Sequence, residues 1–415
     1  MTMKLAEVVS MFVGPDSDVE LTAYDGSRYG RVGSDIRLDV RSPRAVSLMM
    51  SAPGQLGLAR AYVAGELEVH GDLYTAFDRL ARLGLTAPSL PDQVRLYSAL
   101  APFVLRRVPP PPEEVRLGGM RHSKKRDHDA ISHHYDVSNT FYRWVLGPSM
   151  AYTCAVFPKA DATLEEAQEE KFDLVCRKLG LQRGQRLLDV GCGWGGLTLH
   201  AAKHYGVHVI GVTLSQQQAQ WGAEAIEREG LGHLAQIRHQ DYRDVKERGF
   251  DAISSIGLTE HIGKDNYPAY FRFLRSRLNP TGRLLNHCIT RTDTSGRTTY
   301  KNGFINRYVF PDGELVPVGR IISAIEDQGF EVRHEENLRE HYALTLMHWS
   351  RNLDEHWDEA VAEVGVGKSR VWRLYLAASR MGFARNMIQL HQVLAVSPDE
   401  GGHADVPLRL GFDRP

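Results

Sequence analysis

The chain has 415 residues, of which 42% are hydrophobic and 24% are charged; this is the composition of an ordinary globular protein with room for two domains. Its net charge of −1 provides no overall field that would attract nucleic acid or anionic lipid. No apolar run is long enough to span a membrane, and no N-terminal stretch has the pattern of a secretory signal. The four cysteines form no CxxC pair, so neither a metal site nor a redox motif is expected.

The first part of the chain, residues 1–108, is predicted to form a small α+β domain. Strand-like runs such as VELTAYDG, RYGRVG and DIRLDV precede the helical stretch YTAFDRLARLGL. Asp25-Gly26 lies between alternating segments and indicates a hairpin. Pro109 to Pro112 begin a stiff linker over residues 109–120, and we place the domain boundary there.

A short basic segment follows the linker, in RHSKKRDHDAISHHYD. Its basic residues are Arg121, Lys124, Lys125 and Arg126. Two interpretations stay open for this segment: a solvated polar stretch, or a local patch that meets lipid phosphates.

From Leu187 onward, apolar runs of strand length alternate with helix-like stretches. The runs are RLLDVG, VHVIGVT, FDAISSIG and RLLNHCIT, and the stretches between them include TLHAAKHYG and QQQAQWGAEAIEREG. This alternation predicts an α/β fold, a doubly wound parallel sheet with helices on both faces. An insert at 291–319 is predicted to cover the site. The chain is then predicted to be helical from about Asn352 to Ser397, with a poorly ordered tail at 398–415.

The first strand of this region ends in a glycine-rich loop, LLDVGCGWGGL. Gly191, Gly193 and Gly195 let the backbone approach a ligand closely. The spacing differs from the GxGxxG pattern of dinucleotide sites, and Asp189 could bind an ammonium group but would oppose a pyrophosphate. An amino-acid-bearing nucleoside without phosphate, such as S-adenosylmethionine, therefore fits better than a dinucleotide.

One feature expected of a ribose site is missing. The strand after the glycine loop commonly ends in an acid that binds ribose hydroxyls, but VHVIGVTLSQQQ has none. Thr213, Ser215 and Gln218 offer neutral hydrogen bonds instead. General rules alone therefore leave the identity of the ligand open.

Eight motifs occur together and in order. They are HHYDVSN, YTCAVF, LEEAQEEKFDLV, LLDVGCGWGG, GVTLSQQQ, SSIGLTEHIG, LLNHCIT and EHYALTLMHW. With these motifs, residues 128–390 resemble the cyclopropane-fatty-acyl-phospholipid synthase family, which includes mycolic acid cyclopropane synthases and methylene-forming fatty acid methyltransferases of the tuberculostearic acid type. The resemblance implies a class I methyltransferase (Rossmann-like) domain over 121–397. The N-terminal region looks like the extra domain of the phospholipid-acting members, which would dock on lipid.

The resemblance also assigns a cofactor, S-adenosylmethionine, and explains the missing acid, because this family reads the ribose with a TLSxxQ loop. The residues that it places around the cofactor are Tyr152, Thr153, Asp189, Gly191, Cys192, Gly193, Thr213, Leu214, Gln218 and Tyr242.

A second set is implied to hold a bicarbonate ion, the base that deprotonates a carbocation on the substrate. This set comprises Cys154, Glu260, His287 and Tyr342, with the backbone of Ile289 nearby. A carboxylate accepts hydrogen bonds, so Glu260 is expected either to orient His287 or to accept the ion's own proton. Three histidines have both structural and functional interpretations: His133, His134 and His261.

The function implied is S-adenosylmethionine-dependent C-methylation of a cis double bond in a phospholipid acyl chain, giving a cyclopropane. A 10-methylene product is the alternative, and a nicotinamide oxidoreductase or a non-catalytic lipid-binding protein would be other classes. The expected partners are phospholipid acyl chains at the inner face of the plasma membrane, met by peripheral docking from the cytoplasm. A second copy of the chain, in a homo-oligomer, and a reductase for a methylene product are also expected; nucleic acid is not.

Overall fold

A computed structural model of the chain describes residues 3–13, 17–83, 89–106, 108–115, 122, 126, 138–294 and 303–412. Parts of several predicted features lie outside the described residues. These parts are Arg121, Lys124 and Lys125 of the basic segment, His133 and His134, residues 116–120 of the linker and 295–302 of the insert.

The chain divides into two compact units. The first comprises Met1–Arg116, Tyr300–Pro311 and Trp357–Met381. The second comprises Leu117–Thr299, Asp312–His356 and Gly382–Pro415. This division differs from the predicted succession of two domains, because two later segments belong to the first unit.

The elements of the N-terminal part form a small mixed sheet with helices. In chain order they are α1 (Leu5–Ser10), β1 (Glu20–Ala23), β2 (Arg28–Tyr29), β3 (Arg37–Val40), α2 (Pro43–Ser51), α3 (Gln55–Val63), β4 (Leu67–His70), α4 (Leu73–Arg82) and α5 (Leu90–Leu105). The strand order is β2-β1-β3-β4. β1 and β2 are antiparallel on either side of the predicted Asp25-Gly26 turn, where Gly26 has φ 76°.

The remaining elements build the larger sheet and its helices. In chain order they are α6 (Asn139–Leu146), α7 (Leu164–Leu179), β5 (Arg186–Val190), α8 (Gly196–His200), β6 (His208–Thr213), α9 (Gln216–Arg228), β7 (Ala235–His239), β8 (Phe250–Ile256), α10 (Thr259–Ile262), α11 (Tyr267–Arg275), β9 (Leu278–Arg291), α12 (Phe304–Tyr308), α13 (Val318–Glu326), β10 (Glu331–Asn337), α14 (Arg339–Glu355), α15 (Trp357–Val364), α16 (Val366–Ala384) and β11 (Ile388–Val396). Within the described ranges, no helix combines the length and apolarity needed to cross a bilayer.

The larger sheet has the order β10-β11-β9-β8-β5-β6-β7. Strands β5 to β9 are parallel. From β5 the chain continues outward through β6 to β7, then returns to the other side of β5 for β8. The carboxyl end of β5 is therefore the switch point at which ligands bind in such sheets. The predicted doubly wound α/β fold is confirmed.

The prediction of helix up to about Ser397 is wrong beyond Ala384. β11 lies between β9 and β10 and is antiparallel to both. The preceding helix ends near Asn386, which adopts φ 54°, a left-handed conformation that terminates helices. The tail also differs from the prediction of poor order: Leu410 and Phe412 pack against the core, and Arg177 Nε donates to the Phe412 carbonyl at 2.8 Å.

Candidate active site

A cavity opens at the carboxyl ends of β5, β6 and β8, where the switch point lies. All ten residues predicted to bind the cofactor are on its wall. They are Tyr152, Thr153, Asp189, Gly191, Cys192, Gly193, Thr213, Leu214, Gln218 and Tyr242. The glycine loop contributes Gly191, Cys192 and Gly193, and the wall is completed by Asp189 at the end of β5 and by residues within 150–153, 171–172, 212–218, 240–243 and 256–262.

Two positions of the loop require glycine, each for a different physical reason. Gly193 has φ 56°, and a Cβ built on it would meet no heavy atom within 4 Å, so the bare backbone faces open space at the cavity. Gly195 has φ 88°, and its Cβ would lie 2.3 Å from Ile237 Cδ1. The first glycine leaves room for a ligand, and the second lets the loop pack on the helix and strand behind it.

Asp189 is buried and held from two sides. Its carboxylate accepts hydrogen bonds from Thr198 Oγ1 at 3.0 Å and from Ser254 Oγ at 2.7 Å. Burial raises the pKa of this carboxyl group. The side chain is therefore fixed in one orientation at the cavity wall.

The loop after β6 contains no acid, as the sequence shows. Thr213 Oγ1 donates to Gln218 Oε1 at 2.7 Å, and Ser215 Oγ accepts from the Gln218 backbone N–H at the start of α9. Because Gln218 Oε1 accepts the threonine hydroxyl, the amide NH₂ is the part of this side chain that can donate to a ligand.

Besides Arg243, one further ionisable residue on the wall was not predicted from the sequence, Lys171. Its side chain is buried, its Nζ donates to Thr153 Oγ1 at 3.0 Å, and burial lowers its pKa to about 7. A lysine on the inward face of α7, among buried residues, was the available signal. His261 also lines the cavity, and burial lowers its pKa to about 4, so it is neutral near pH 7.

Two of the residues expected to hold bicarbonate lie next to cavity residues in the chain, and no member of the set is on the cavity wall. Cys154 follows Thr153, and Glu260 lies between Leu258 and His261 of the wall. The Gly257 N–H donates to the His287 carbonyl at 2.8 Å. Cys154, Glu260 and His287 therefore adjoin residues of the cavity wall.

Three members of the set are connected through β11. Ile289 pairs with Leu390 across the sheet, and the Leu390 carbonyl accepts the Leu338 N–H at 2.8 Å. The Leu338 carbonyl accepts the Tyr342 N–H at 3.1 Å and the Cys154 thiol at 3.7 Å. Segments distant in the sequence thus meet around one carbonyl group.

Within the described residues, Glu260 and His287 each have one buried polar atom without a hydrogen-bond partner. Glu260 Oε1 accepts the Ile289 N–H at 2.7 Å, whereas Glu260 Oε2 and His287 Nε2 have no hydrogen-bond partner in the described part of the chain. Burial raises the Glu260 pKa to about 7. Glu260 therefore forms no hydrogen bond with His287, and the expectation that it orients this histidine is not met; His287 Nδ1 instead lies 3.2 Å from Gln392 Nε2.

Cys154 and Tyr342 complete the set. Cys154 is fully buried, and burial raises the pKa of its thiol far above the ordinary value, so it stays protonated. The Tyr342 ring stacks on Phe383 at 4.4 Å and meets the Trp349 ring edge-on at 6.1 Å. Both side chains are therefore polar groups in largely apolar surroundings.

The solved structure of the mycolic acid cyclopropane synthase CmaA1 complexed with SAH and CTAB matches this fold. The match has a TM-score of 0.62 and 32% identity, and covers 65% of this chain and 98% of that one. The fold and the cavity at its switch point define a class I methyltransferase with S-adenosylmethionine as methyl donor. The chain belongs to the mycolic acid cyclopropane synthetase family, whose model matches residues 122–393.

Relatives extend the likeness to the whole chain. It is 53% identical to the probable fatty acid methyltransferase Rv3720 of Mycobacterium tuberculosis, over 98% of both chains. It is 34% identical to the cyclopropane-fatty-acyl-phospholipid synthase of Escherichia coli K12, over 90% of both. The predicted family and enzyme class are thereby confirmed.

Proposed function

We propose that the protein methylates the cis double bond of a phospholipid acyl chain and releases a cyclopropane product. The observation that carries this proposal is a pair of buried polar atoms, Glu260 Oε2 and His287 Nε2, which have no hydrogen-bond partner among the described residues and belong to residues that adjoin the wall of the methyl-donor cavity. Buried polar atoms without partners are costly and call for a bound polar group. The names of the two relatives, a fatty acid methyltransferase and a fatty-acyl-phospholipid synthase, support an acyl substrate.

The reaction needs no nucleophilic side chain. S-adenosylmethionine supplies an electrophilic methyl group, and the alkene π bond is the nucleophile. Methylation leaves a carbocation on the acyl chain, which must then lose a proton to a base. The buried, protonated thiol of Cys154 fits this scheme, because a thiol is a poor nucleophile unless it is ionised.

A hydrogencarbonate ion fits the second set of residues and would supply that base. Glu260, whose Oε2 can only accept when ionised, matches the single O–H of the ion. The thiol of Cys154, the imidazole of His287 and the phenol of Tyr342 can donate to its oxygens.

The position of the cation when the proton leaves decides the product. In both cases the transferred methyl group loses the proton: direct loss closes a cyclopropane ring, and loss after a hydride shift that moves the cation onto the methyl-bearing carbon leaves a 10-methylene group. The methylene product is the second candidate because the chain is 53% identical to a probable fatty acid methyltransferase, a name that specifies no ring closure, and 34% identical to the cyclopropane synthase. A methylene product would require a separate reductase to give a methyl branch.

The acyl substrate lies in a bilayer, and we propose that α5 docks the protein on the inner face of the plasma membrane. Five of its residues form an exposed apolar face along the helix: Leu90, Val94, Tyr97, Val104 and Leu105. Aromatic and aliphatic side chains on one face of a helix bind the interfacial region of a membrane. A homo-oligomer, which we also propose, would double the number of such faces and raise the avidity.

Analysis of the lipid product tests the proposal. The protein is expressed in a bacterium that lacks its own cyclopropane synthase and is fed oleate, and its phospholipids are analysed by mass spectrometry. We expect acyl chains that have gained one CH₂ group. Mild hydrogenation then separates the candidates, because a methylene takes up hydrogen and a cyclopropane does not. Unchanged acyl chains despite abundant folded protein would contradict the proposal.

Calorimetry separates the proposal from an oxidoreductase. We expect S-adenosylhomocysteine to bind the purified protein and NAD to give no heat. Binding of NAD alone would exclude the methyltransferase function.

A further inference from the structure

Behind His287 lies a buried chain of polar side chains that belongs neither to the cavity wall nor to the set predicted from the sequence. Lys178, near the end of α7, has a side chain that is only 1% exposed. Its ammonium group donates to Glu336 and, at 2.7 Å, to Gln392 Oε1. Gln392 is fully buried on β11, opposite His287 on β9, and its Nε2 lies 3.2 Å from His287 Nδ1.

The lysine determines how the amide of Gln392 is oriented. An ammonium group has three donors and no acceptor, so the amide atom that faces it must be the oxygen. The NH₂ group of Gln392 then faces the imidazole ring. Since an amide NH₂ only donates, His287 Nδ1 must be the acceptor and carries no proton.

The opposite nitrogen of His287 must then carry the proton. Burial lowers the pKa of this histidine well below its ordinary value, and the charges of Lys171 and Lys178 act in the same direction, so the ring is neutral. A neutral imidazole has one N–H, which here is on Nε2. That atom is buried and has no partner among the described residues.

We propose that Lys178 and Gln392 are positioning residues that hold His287 as its Nε2–H tautomer, so that the ring donates a hydrogen bond to an oxyanion bound between it and Glu260. The oxyanion rests on the proposed function; the tautomer does not. With the other tautomer, Nε2 would present a lone pair and repel an anion.

Nuclear magnetic resonance measures the tautomer directly. The full-length protein is labelled with ¹⁵N-histidine, and long-range proton–nitrogen correlations show which ring nitrogen is protonated. The signals of His287 are assigned by their loss in His287→Asn. We expect protonated Nε2 and bare Nδ1 in the absence of substrate. A protonated Nδ1 in the unaltered protein would overturn the proposal.

The substitution Gln392→Glu reverses the direction of the hydrogen bond between residue 392 and His287, with almost no change in the shape of the side chain. A carboxylate still accepts from Lys178 but can only accept from His287, so Nδ1 becomes protonated. We expect kcat on lipid to fall by roughly 10- to 100-fold, as for other residues that orient a functional histidine. The KM for S-adenosylmethionine should be unchanged, because Gln392 is not on the cavity wall.

Gln389→Glu is the matched control: it makes the same change on the same strand, at a residue bonded to Asn386 near the surface, and should keep both the tautomer and kcat. A protonated Nδ1 in Gln392→Glu with unchanged kcat would refute the positioning role. Absence of any lipid product from the unaltered protein would instead refute the proposed function, while the tautomer measurement would stand.

Discussion

Glu260 is the residue on which the proposed proton transfer depends most directly. Its Oε2 is buried without a partner in the described residues, while Oε1 is fixed by the Ile289 N–H. We predict that Glu260→Gln keeps its affinity for S-adenosylhomocysteine in calorimetry, because Glu260 is not on the cavity wall. Its kcat on lipid should fall by about 10²- to 10⁴-fold, the usual contribution of acid–base catalysis. The exposed Glu326→Gln is the control, and full activity in Glu260→Gln would remove this residue from the mechanism.

The same carboxyl group makes stability depend on pH. Burial raises its pKa from the ordinary 4.5 to about 7, so the folded state binds this proton more tightly than the unfolded state does. The resulting stabilisation is complete below pH 4.5 and is lost as the pH rises through 7. In bicarbonate-free buffer, we predict that the unfolding free energy of the unaltered protein falls relative to Glu260→Gln over this range. Denaturation curves at several pH values measure it, and a constant difference would contradict the pKa.

The lowered pKa of Lys171 predicts that binding of S-adenosylmethionine releases more protons than binding of S-adenosylhomocysteine. Its pKa is about 7 because it is buried, and a sulfonium cation in the same cavity would lower that pKa further. Because a group with a pKa of about 7 is about half protonated at pH 7, binding of S-adenosylmethionine should release up to about half a proton per site from Lys171. This release should come in addition to any proton released when S-adenosylhomocysteine, a neutral sulfide, binds. Titration calorimetry in buffers of different ionisation enthalpy measures this. Lys171→Met should abolish the difference and the exposed Lys203→Met should keep it; equal release from the two ligands would contradict the prediction.

At the scale of the element, the turn from β5 into α8 depends on Gly195. Its φ of 88° and the 2.3 Å approach of a Cβ to Ile237 combine strain with a clash. We predict that Gly195→Ala lowers the unfolding free energy by about 1–3 kcal/mol and weakens S-adenosylhomocysteine binding. Gly232→Ala, where a Cβ meets nothing within 4 Å, should be neutral. Denaturant unfolding compares them, and equal stabilities would show that the loop adjusts freely.

If the apolar face of α5 docks on the membrane, substitutions on this face should weaken membrane binding and leave cofactor binding unchanged. Val94 and Tyr97 are 70% and 77% exposed, and the double substitution Val94→Glu, Tyr97→Glu places two charges where lipid should contact the helix. We predict at least ~10-fold weaker sedimentation with dioleoyl phospholipid vesicles, since charged groups enter the interface poorly. Binding of S-adenosylhomocysteine should be unaffected. Gln220→Glu, which adds a charge at an exposed position of α9 instead of α5, is the control, and unchanged vesicle binding in the double variant would exclude α5 as the docking surface.

At the scale of the whole molecule, the strands that the sequence predicted are central strands of the sheet, where burial on both faces requires an apolar run. β5, β6, β8 and β9 have neighbours on both sides and are recognisable as apolar runs. β7 and β10 are the edge strands, and AQIRH and EVRHEEN carry the polar residues that edges tolerate. β11 was mistaken for helix because only Arg385, Asn386 and Met387, none of them glycine or proline, separate IQLHQVLAV from the preceding helix.

The cavity residues and the residues that contact His287 also differed in how well the sequence could predict them. The cavity residues come from short contiguous motifs, so a resemblance could locate them one by one. Lys178 and Gln392 are residue types that are mostly exposed in other proteins, and they meet only because β11 pairs with β9. An interpretation that makes residues 388–396 helical cannot bring Gln392 to His287.

The position of β11 also has a consequence for how the protein is made. β9 ends at Arg291 and its partner β11 begins at Ile388, so the middle of the sheet closes only after a long intervening stretch has been synthesised. Contacts of such sequence separation form late. On the ribosome, the glycine loop, β6 and β8 can assemble while His287 still lies on an open sheet edge. Methyl-donor binding can therefore arise in a nascent chain before His287 meets Gln392, and under the proposed mechanism an unfinished enzyme would bind the methyl donor without yet being able to complete the reaction on lipid.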